Sequence, residues 1–321
     1  MTLTLTRRIL LGSALAFGLA GAAAAEFPDR PVTLVIPFAA GGSTDVVGRI
    51  VAERMGQELG QQVIVQNVGG AGGSLGAGQV AKADADGYTI LMGTVATHAL
   101  NPLILKQKPY DPVADFAPVS LLVLVPNVLA VNPQLPANTV QELIDLAKTE
   151  PLAYASSGNG TPLHLSGELF KAMAGVDITH IPYKGSGPAL TDVLGNQVPI
   201  IFDNLPSASG HIASGKLRAL GVTTAERAPS FPDVPAIGET LPGYETYSWN
   251  ALFAPAGTPP EAIAKLHDAA VAAMADPAVA ARMGEFSATI VASSPEELAE
   301  HVKAEMAKWE PVVKDANVSL D

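Results

Sequence analysis

The chain has 321 residues, 48% of them hydrophobic and 16% charged, which is enough to bury the core of two domains or of one large one. Its formal net charge of −12 works against nucleic-acid binding, because phosphate recognition needs clustered Lys and Arg, and at first sight also against an anionic ligand. The absence of cysteine excludes disulfides, thiolate metal sites and a cysteine nucleophile.

The first 25 residues have the pattern of a secretory signal peptide. Arg7 and Arg8 precede an apolar run at 9–21, and four alanines at 22–25 follow it. A basic start, a short apolar stretch and a small-residue cleavage site define such a peptide, and the apolar run is too short and weak for a membrane helix. We therefore predict cleavage after Ala25 and a periplasmic protein, exported by the Sec or the twin-Arg route.

After the signal peptide, strands alternate with helices. Strands are predicted at 32–37, 63–66 and 88–92, with helices at 45–59 and in a small-residue segment ending near 83. Ser43 or Thr44 is expected to cap the first of these helices. This order of elements predicts parallel strand pairing with right-handed crossovers.

The middle of the chain repeats the same scheme. Strands are predicted at 119–125 and 128–131 on either side of Pro126, and further on at 154–157, 178–183, 198–202 and 217–223. Helices are predicted at 163–174 and 188–194, and a capping box formed by Thr139 and Glu142 opens another that ends at Lys148.

The last quarter is helical after a Pro- and Gly-rich linker at 228–243. One helix is predicted at 260–275, and a second capping box, Ser294 with Glu297, opens a helix that runs to about 315. Its i,i+3 pairs, Glu300–Lys303 and Glu305–Lys308, are expected on its exposed side. Two similar α/β halves with a ligand cleft between them fit this layout.

The first glycine-rich turn, at 38–45, joins a strand to a helix N-terminus. Its glycines let the backbone approach a ligand, and the first amides of a helix lack intrahelical acceptors. Together with the helix dipole, these amides form an anion site without a basic side chain. The alternative interpretation is an ordinary tight turn in which Asp45 only caps the helix.

A second loop, at 154–162, repeats this design. It offers neutral hydrogen-bonding groups and contains no Lys or Arg. Two such loops are able to hold a carboxylate from both sides. A third loop at 182–188 carries Lys184, the nearest basic residue. Asp203 ends a buried strand, where an acid either contacts a ligand or caps the next helix.

Sequence motifs that would indicate a catalytic function match less well. Residues 72–76 fit the G-x-S-x-G pattern around Ser74, and Asp203 with His211 or His267 would complete a hydrolase order. The surrounding segment is a long glycine loop rather than a sharp elbow. The six His residues form no H-x-x-x-H pair, which leaves a metal site without support. A secreted serine hydrolase using Ser74 or Ser157 is the alternative to a binding protein without enzymatic activity.

Nine short segments follow one another in a specific order and spacing. They lie at 30–45, 69–73, 86–88, 115–119, 154–160, 182–185, 202–206, 215–219 and 254–259. With these segments, the chain from about residue 27 to 313 resembles the solute receptors of tripartite tricarboxylate transporters, the Bug-type periplasmic binding proteins.

The resemblance implies a two-lobed α/β protein with the type II periplasmic-binding fold. Its lobes would be residues 26–125 plus 250–321 and residues 126–249. The function implied is capture of a mono-, di- or tricarboxylate or an acidic amino acid by cleft closure, followed by delivery to a membrane transporter. We expect a monomer without cofactor or metal.

The resemblance also implies the ligand-binding residues. On the first loop these are Phe38, Ala40, Gly41, Gly42, Ser43 and Thr44. On the second loop they are Ser157, Gly158, Asn159 and Thr161. Asp203 matches an acid beside the ligand that helps to set selectivity, and Thr97 and His98 are expected as walls. Family members often carry a disulfide, which this sequence lacks.

Overall fold

The computed structural model describes residues 26–315, so the predicted signal peptide and residues 316–321 lie outside the described residues. The strands β1–β10 are Val32–Ile36, Val63–Asn67, Thr89–Thr94, Phe116–Val131, Leu152–Ser156, Ile178–Pro182, Ile200–Asn204, Arg218–Val222, Tyr247–Pro255 and Thr289–Ile290. The helices α1–α10 are Ser43–Leu59, Ser74–Val80, Asn101–Ile104, Val140–Ala147, Pro162–Ala174, Ser186–Leu194, Leu205–Ala213, Pro260–Ala275, Pro277–Glu285 and Pro295–Asp315.

The strands form one continuous sheet in the order β2-β1-β3-β9-β4-β7-β5-β6, with β8 and β10 also paired to β4. Strand β1 pairs in parallel with β2 and β3, and β5 pairs in parallel with β6 and β7, as the alternation of strands and helices predicts. Strands β4 and β9 run antiparallel to their neighbours and lie between these two parallel groups. The predicted α/β class is confirmed.

Strand β4 belongs to both halves of the sheet. Residues 116–126 pair with β9, whereas residues 127–131 pair with β7 and β8. The prediction of two strands separated at Pro126 is wrong, because the strand continues through the proline. Proline cannot donate to a ladder, but here it sits at the point where β4 changes partners. The two halves are therefore connected by the continuous strand β4 and not only by loops.

Four elements have no counterpart in the sequence pattern: β9, α9, and the short α3 and β10. Strand β9 is buried along most of its length, with only its first two residues partly exposed. A strand covered on both faces lacks the alternation of apolar and polar residues that marks a half-buried strand. It also follows directly on the Pro- and Gly-rich linker.

Helix α1 begins two residues earlier than predicted, at Ser43. Gly42 occupies the N-cap position without a side-chain cap, so Ser43 and Thr44 belong to the first turn and the prediction that one of them caps the helix is wrong. Two residues with hydroxyl side chains therefore lie in the first turn of α1, where the backbone amides have no intrahelical acceptor.

Of the two predicted capping boxes, the one at α10 is complete and the one at α4 is only half formed. At α10 the box is reciprocal: the Glu297 amide donates to Ser294 Oγ over 3.1 Å, and the Ser294 amide donates to the Glu297 carboxylate over 2.9 Å. At α4 the Glu142 amide donates to Thr139 Oγ1 over 3.1 Å, but the Glu142 carboxylate accepts from the amide of Asn138 instead.

The two predicted ion pairs of α10 differ in their surroundings. Lys303 and Glu300 form an exposed pair at 2.8 Å, as expected. Glu305 lies 3.8 Å from Lys308, but its side chain is only 5% exposed, so the prediction that it faces solvent is wrong. The reason is the neighbouring strand β9, which covers this side of the helix.

Each half of the sheet has its own apolar core. In the first half, α1 and α8 cover β1 through Val47, Met55, Leu266 and Met274. In the second half, the aromatic rings of Tyr154, Phe170, Phe202 and Tyr244 pack together. Within residues 26–315, no helix is both long and apolar enough to cross a membrane.

Candidate functional site

Four helices begin at one small cavity between the two halves of the sheet. Helices α1, α5, α6 and α7 follow strands β1, β5, β6 and β7, respectively, and the N-terminal end of each contributes to the cavity wall. The cavity is partly open to solvent, and its volume is about 30 Å³. The lining residues are Phe38, Gly42, Ser43, Thr44, Thr94, Ser157, Thr161, Pro162, Leu163, Ser186, Asn204, Ser248, Trp249 and Asn250.

The loop before α1 is braced by the buried carboxylate of Asp45. Its Oδ2 accepts the Gly41 amide over 2.9 Å, and its Oδ1 accepts from Asn67 Nδ2 over 2.9 Å. Burial alone would raise the pKa of Asp45, but the bonds from Arg49, Gly41 and Asn67 outweigh it and the pKa lies below its ordinary value. Asp45 thus holds the loop in shape and uses the Gly41 amide, which is not free for a ligand.

The remaining amides at the start of α1 are unpaired within the helix. The first intrahelical bond joins the Val46 amide to the Gly42 carbonyl over 2.9 Å. The amides of Ser43 and Thr44 come before it, so they have no intrahelical acceptor, and both residues line the cavity. With the positive end of the helix dipole, they offer an anion two N–H donors and two hydroxyls.

The loop before α5 is fixed by its own side chains. Ser156 Oγ accepts the Gly158 amide over 3.1 Å and lies 2.6 Å from His180 Nε2. Thr161, the N-cap, accepts the His164 amide over 3.3 Å and donates to the Gly158 carbonyl over 2.8 Å. Gly158 has a φ of +135°, which side chains rarely adopt. The loop is therefore rigid where it meets the cavity.

Beside the cavity, the two halves meet through main-chain atoms. The Ala39 amide donates to the Lys184 carbonyl over 3.0 Å. A Cβ at Gly187 would lie 2.1 Å from the Ala40 carbonyl oxygen, and one at Gly185 would lie 2.9 Å from the Ala39 nitrogen. These contacts exclude any side chain, so the glycines are needed for the halves to come this close.

The predicted site residues divide into two groups. Six line the cavity: Phe38, Gly42, Ser43, Thr44, Ser157 and Thr161. Ala40, Gly41, Gly158 and Asn159 belong to the same two loops but do not line it. Ala40 faces Gly187, and the carbonyl of Asn159 approaches Gly72, where a Cβ would lie 2.6 Å from it.

Thr97 and His98 are fully buried behind the cavity rather than in its wall. The Thr94 amide donates to Thr97 Oγ1 over 2.9 Å, and the His98 ring stacks on Phe253 with 3.7 Å between centroids. Burial lowers the pKa of His98 to about 3, so the ring is neutral. Thr97 therefore supports Thr94, which does line the cavity, and His98 lies behind it with its Nδ1 2.9 Å from Thr97 Oγ1.

Asp203 is also fully buried and does not line the cavity. Its Oδ2 accepts from Ser207 Oγ over 2.8 Å, whereas its Oδ1 has no hydrogen-bond partner within the described residues. Burial raises the pKa of Asp203 to about 6, against the opposing effect of the Ser186 and Ser207 hydroxyls. Ser186 lines the cavity, so its hydroxyl links Asp203 to the cavity wall.

Asp203→Asn is expected to stabilise the protein more at neutral than at acidic pH. The folded pKa of about 6 exceeds the ordinary 3.8, so stability from this carboxyl is present below pH 3.8 and lost as the pH rises through 6. The difference of about 2 between these pKa values corresponds to about 3 kcal/mol of lost folding free energy at neutral pH. The uncharged amide of asparagine does not incur this loss. Melting temperatures at about pH 4.5 and about pH 7.5 test this, and an equal shift at both would contradict it.

Several lining residues have no local sequence signal. Ser248, Trp249 and Asn250 lie on β9, which the sequence pattern does not predict. Asn204 follows Asp203 at the end of β7, and its Nδ2 donates to Asn127 Oδ1 over 2.5 Å and to Ser248 Oγ over 3.0 Å. The pairing of β4 with β7 and β9 brings these residues together. Their place at the cavity therefore depends on strands that are distant in sequence, and no local pattern predicts it.

No serine at the site has the partners of a hydrolase nucleophile. Ser74 is buried and donates to the Ala71 carbonyl over 2.5 Å, and neither it nor Ser157 hydrogen-bonds a histidine within residues 26–315. Ser156 does contact His180, but Ser156 is fully buried, and burial lowers the pKa of His180 to about 3. No group of three His, Asp or Glu in the same residues is arranged to hold a metal ion.

Solved structures of similar proteins share this fold. The periplasmic binding protein BugD is 37% identical, with a TM-score of 0.88 over 91% of this chain and 99% of that one. Rpa4515 of R. palustris, solved with adipate, is 41% identical, with a TM-score of 0.87 over 91% and 99%. MatC of Rhodopseudomonas palustris, solved with bound malate, is 35% identical, with a TM-score of 0.85 over 89% and 100%.

These neighbours confirm the predicted two-lobed α/β fold of a periplasmic binding protein, and they are solute-binding proteins rather than enzymes. The family model described as "Tripartite tricarboxylate transporter family receptor" matches residues 47–318. Since that match covers most of the chain, the protein belongs to the tripartite tricarboxylate transporter receptor family.

Proposed function

We propose that this protein captures a small carboxylate in the periplasm and delivers it to a tripartite tricarboxylate-type membrane transporter. One observation carries the proposal: four helix N-termini converge on one cavity between the two halves. Unpaired helix amides and hydroxyls bind a carboxylate without a basic side chain. The protein would act as a monomer, without cofactor or catalysis.

Ligand capture would occur by closure of two lobes, residues 26–125 with 250–321 and residues 126–249. The change of partners along β4 at residues 126 and 127 supports this division. The bond between the Ala39 amide and the Lys184 carbonyl supports closure, because it joins one lobe to the other beside the cavity. The ligand contacts would come from the lining residues of both glycine-rich loops.

The chemistry of the cavity favours acids that lack an ammonium group. Among the described residues that line it, no side chain is charged. An amino-acid ligand would bring a buried ammonium group, which is costly without a carboxylate beside it, and Asp203 lies outside the lining. Two similar proteins were solved with adipate and with malate, neither of which carries a cation. We therefore favour plain or hydroxylated carboxylic acids over acidic amino acids.

A thermal-shift experiment with matched ligand pairs tests this proposal. Succinate is compared with aspartate and glutarate with glutamate, since the members of each pair differ only by the amino group. Adipate, malate and citrate extend the series. A ligand at 100 times its Kd stabilises the folded protein by about 2.7 kcal/mol, which gives a clear rise in melting temperature.

We expect at least one of the acids without an amino group to raise the melting temperature, and its amino-acid counterpart to leave it unchanged. Equal shifts from both members of a pair would contradict the preference. If no acid in the series has an effect while ester hydrolysis is detected and lost in Ser157→Ala, the binding function itself would be refuted in favour of a hydrolase.

A further inference from the structure

The C-terminal helix carries a buried carboxylate close to the cavity. Glu305 of α10 is 4% exposed, although it lies in the middle of a helix that otherwise presents charged residues to solvent. The nearest cation, Lys308 Nζ, is 3.8 Å away and half exposed. A carboxylate this deeply buried requires several hydrogen-bond donors to offset the loss of water.

Three aromatic side chains supply those donors. Tyr247 Oη donates to Glu305 Oε1 over 2.9 Å, while Trp249 Nε1 and Trp309 Nε1 donate to Oε2 over 3.1 and 3.3 Å. Both carboxylate oxygens are therefore in use. Hydrogen bonds to a charged acceptor are stronger than neutral ones, so this cluster holds all three rings in place.

One of these three aromatic residues lines the cavity. Trp249 is fully buried and lines the cavity beside Ser248 and Asn250. It lies on β9 opposite Leu124 of β4, close to the point where β4 changes partners. His301, also on α10, packs edge-on against the Trp249 ring at 5.3 Å between centroids. The orientation of this wall residue thus depends on a helix more than 50 residues away in sequence.

We propose that Glu305 is a positioning residue that sets the Trp249 wall of the ligand cavity, an inference that rests on the proposed binding function. Without the carboxylate, the indole N–H loses its acceptor in a buried site, and Trp249 is no longer held in place between Ser248 and Asn250 of the cavity wall. The C-terminal helix therefore takes part in ligand binding without touching the ligand.

The two tryptophans of the chain make this testable by fluorescence. In a Trp309→Phe background, Trp249 is the sole tryptophan. To this background we add Glu305→Ala, Glu305→Gln or, as a control on the same helix, Glu300→Ala, which removes only an exposed ion pair. Glutamine keeps an acceptor oxygen and the shape of the side chain, so it should restore the position of the ring.

We expect Glu305→Ala to change the emission maximum and the acrylamide quenching of Trp249. We also expect it to weaken binding of succinate, glutarate or adipate by about tenfold, an effect of the size produced by residues that act on a site without touching the ligand. Glu305→Gln and Glu300→Ala should match the background in both measurements. Circular dichroism confirms that each variant is folded.

Emission and quenching that are unchanged by Glu305→Ala would overturn the positioning role, whatever the ligand. A lower melting temperature with unchanged affinity would also overturn it, because that result describes a purely structural residue. If the wild type binds none of the three acids, the proposed function fails for these ligands, and the fluorescence comparison still decides the role of Glu305.

Discussion

Gly187→Ala is expected to abolish tight ligand binding while the protein remains folded. The new methyl group would lie 2.1 Å from the Ala40 carbonyl oxygen across the cleft, and main-chain atoms on both sides leave little room to adjust. Under the proposed closure the two halves lie apart without ligand, so the methyl group penalises only the closed form. Forced overpacking costs about 1–3 kcal/mol, so we expect the Kd to rise by up to about 100-fold.

Gly210→Ala is the matched control for this variant. Gly210 also lies in a helix, α7, but no atom comes within 4 Å of a Cβ at that position. Both substitutions improve helix propensity by about 1 kcal/mol, so both proteins should be at least as heat-stable as the wild type. Calorimetry with the tightest acid of the thermal-shift series compares the two. Equal affinities would show that the contact with Ala40 is not part of the bound state.

Thr161→Val is expected to weaken both ligand binding and stability. The hydroxyl of Thr161 caps α5 and holds the Gly158 carbonyl over 2.8 Å, so its loss releases the loop at the cavity. Loss of an N-cap costs about 1 kcal/mol of folding free energy. Release of this loop also costs the ligand a hydrogen bond from it, which for a charged ligand is worth about 1.5–3 kcal/mol, equivalent to roughly 10- to 100-fold in Kd.

Thr139→Val separates these two effects. Thr139 caps α4 through the same kind of bond, to the Glu142 amide over 3.1 Å, but it is exposed and does not line the cavity. We expect a similar loss of stability and an unchanged Kd. The measurements are urea denaturation and calorimetry. If both threonine variants bind the ligand equally well, the loop before α5 does not need its cap for binding.

The glycine-rich loops could be predicted from the sequence because each depends on glycines within the turn itself and not on distant residues. Gly41 has a φ of +83° and Gly158 a φ of +135°, so a glycine at each position follows from the turn itself. Six of the thirteen predicted site residues line the cavity for this reason, since they belong to the two loops that the turns create. The parallel pairing of β1, β2 and β3 follows from local alternation in the same way.

The other half of the wall depends on contacts between distant residues. Trp249 and Asn250 reach the cavity only because β9 inserts between β3 and β4, and no local pattern predicts that insertion. Thr97 and His98 follow a strand that does reach the cavity, but a π-helical turn at Ala96–Leu100 places them in the core. Spacing along α10 likewise identifies the Glu305–Lys308 pair but not the indoles that cover it.

The contact between the two halves has a consequence for how ligand preference can change. Ala39, Lys184, Gly185 and Gly187 meet through backbone atoms, and none of the four lines the cavity. Substitutions at lining positions such as Ser248 alter what the cavity accepts without altering the surfaces that meet. Ligand preference and the fit between the lobes are therefore separate traits of this chain, and a designer is able to vary the first while keeping the second constant.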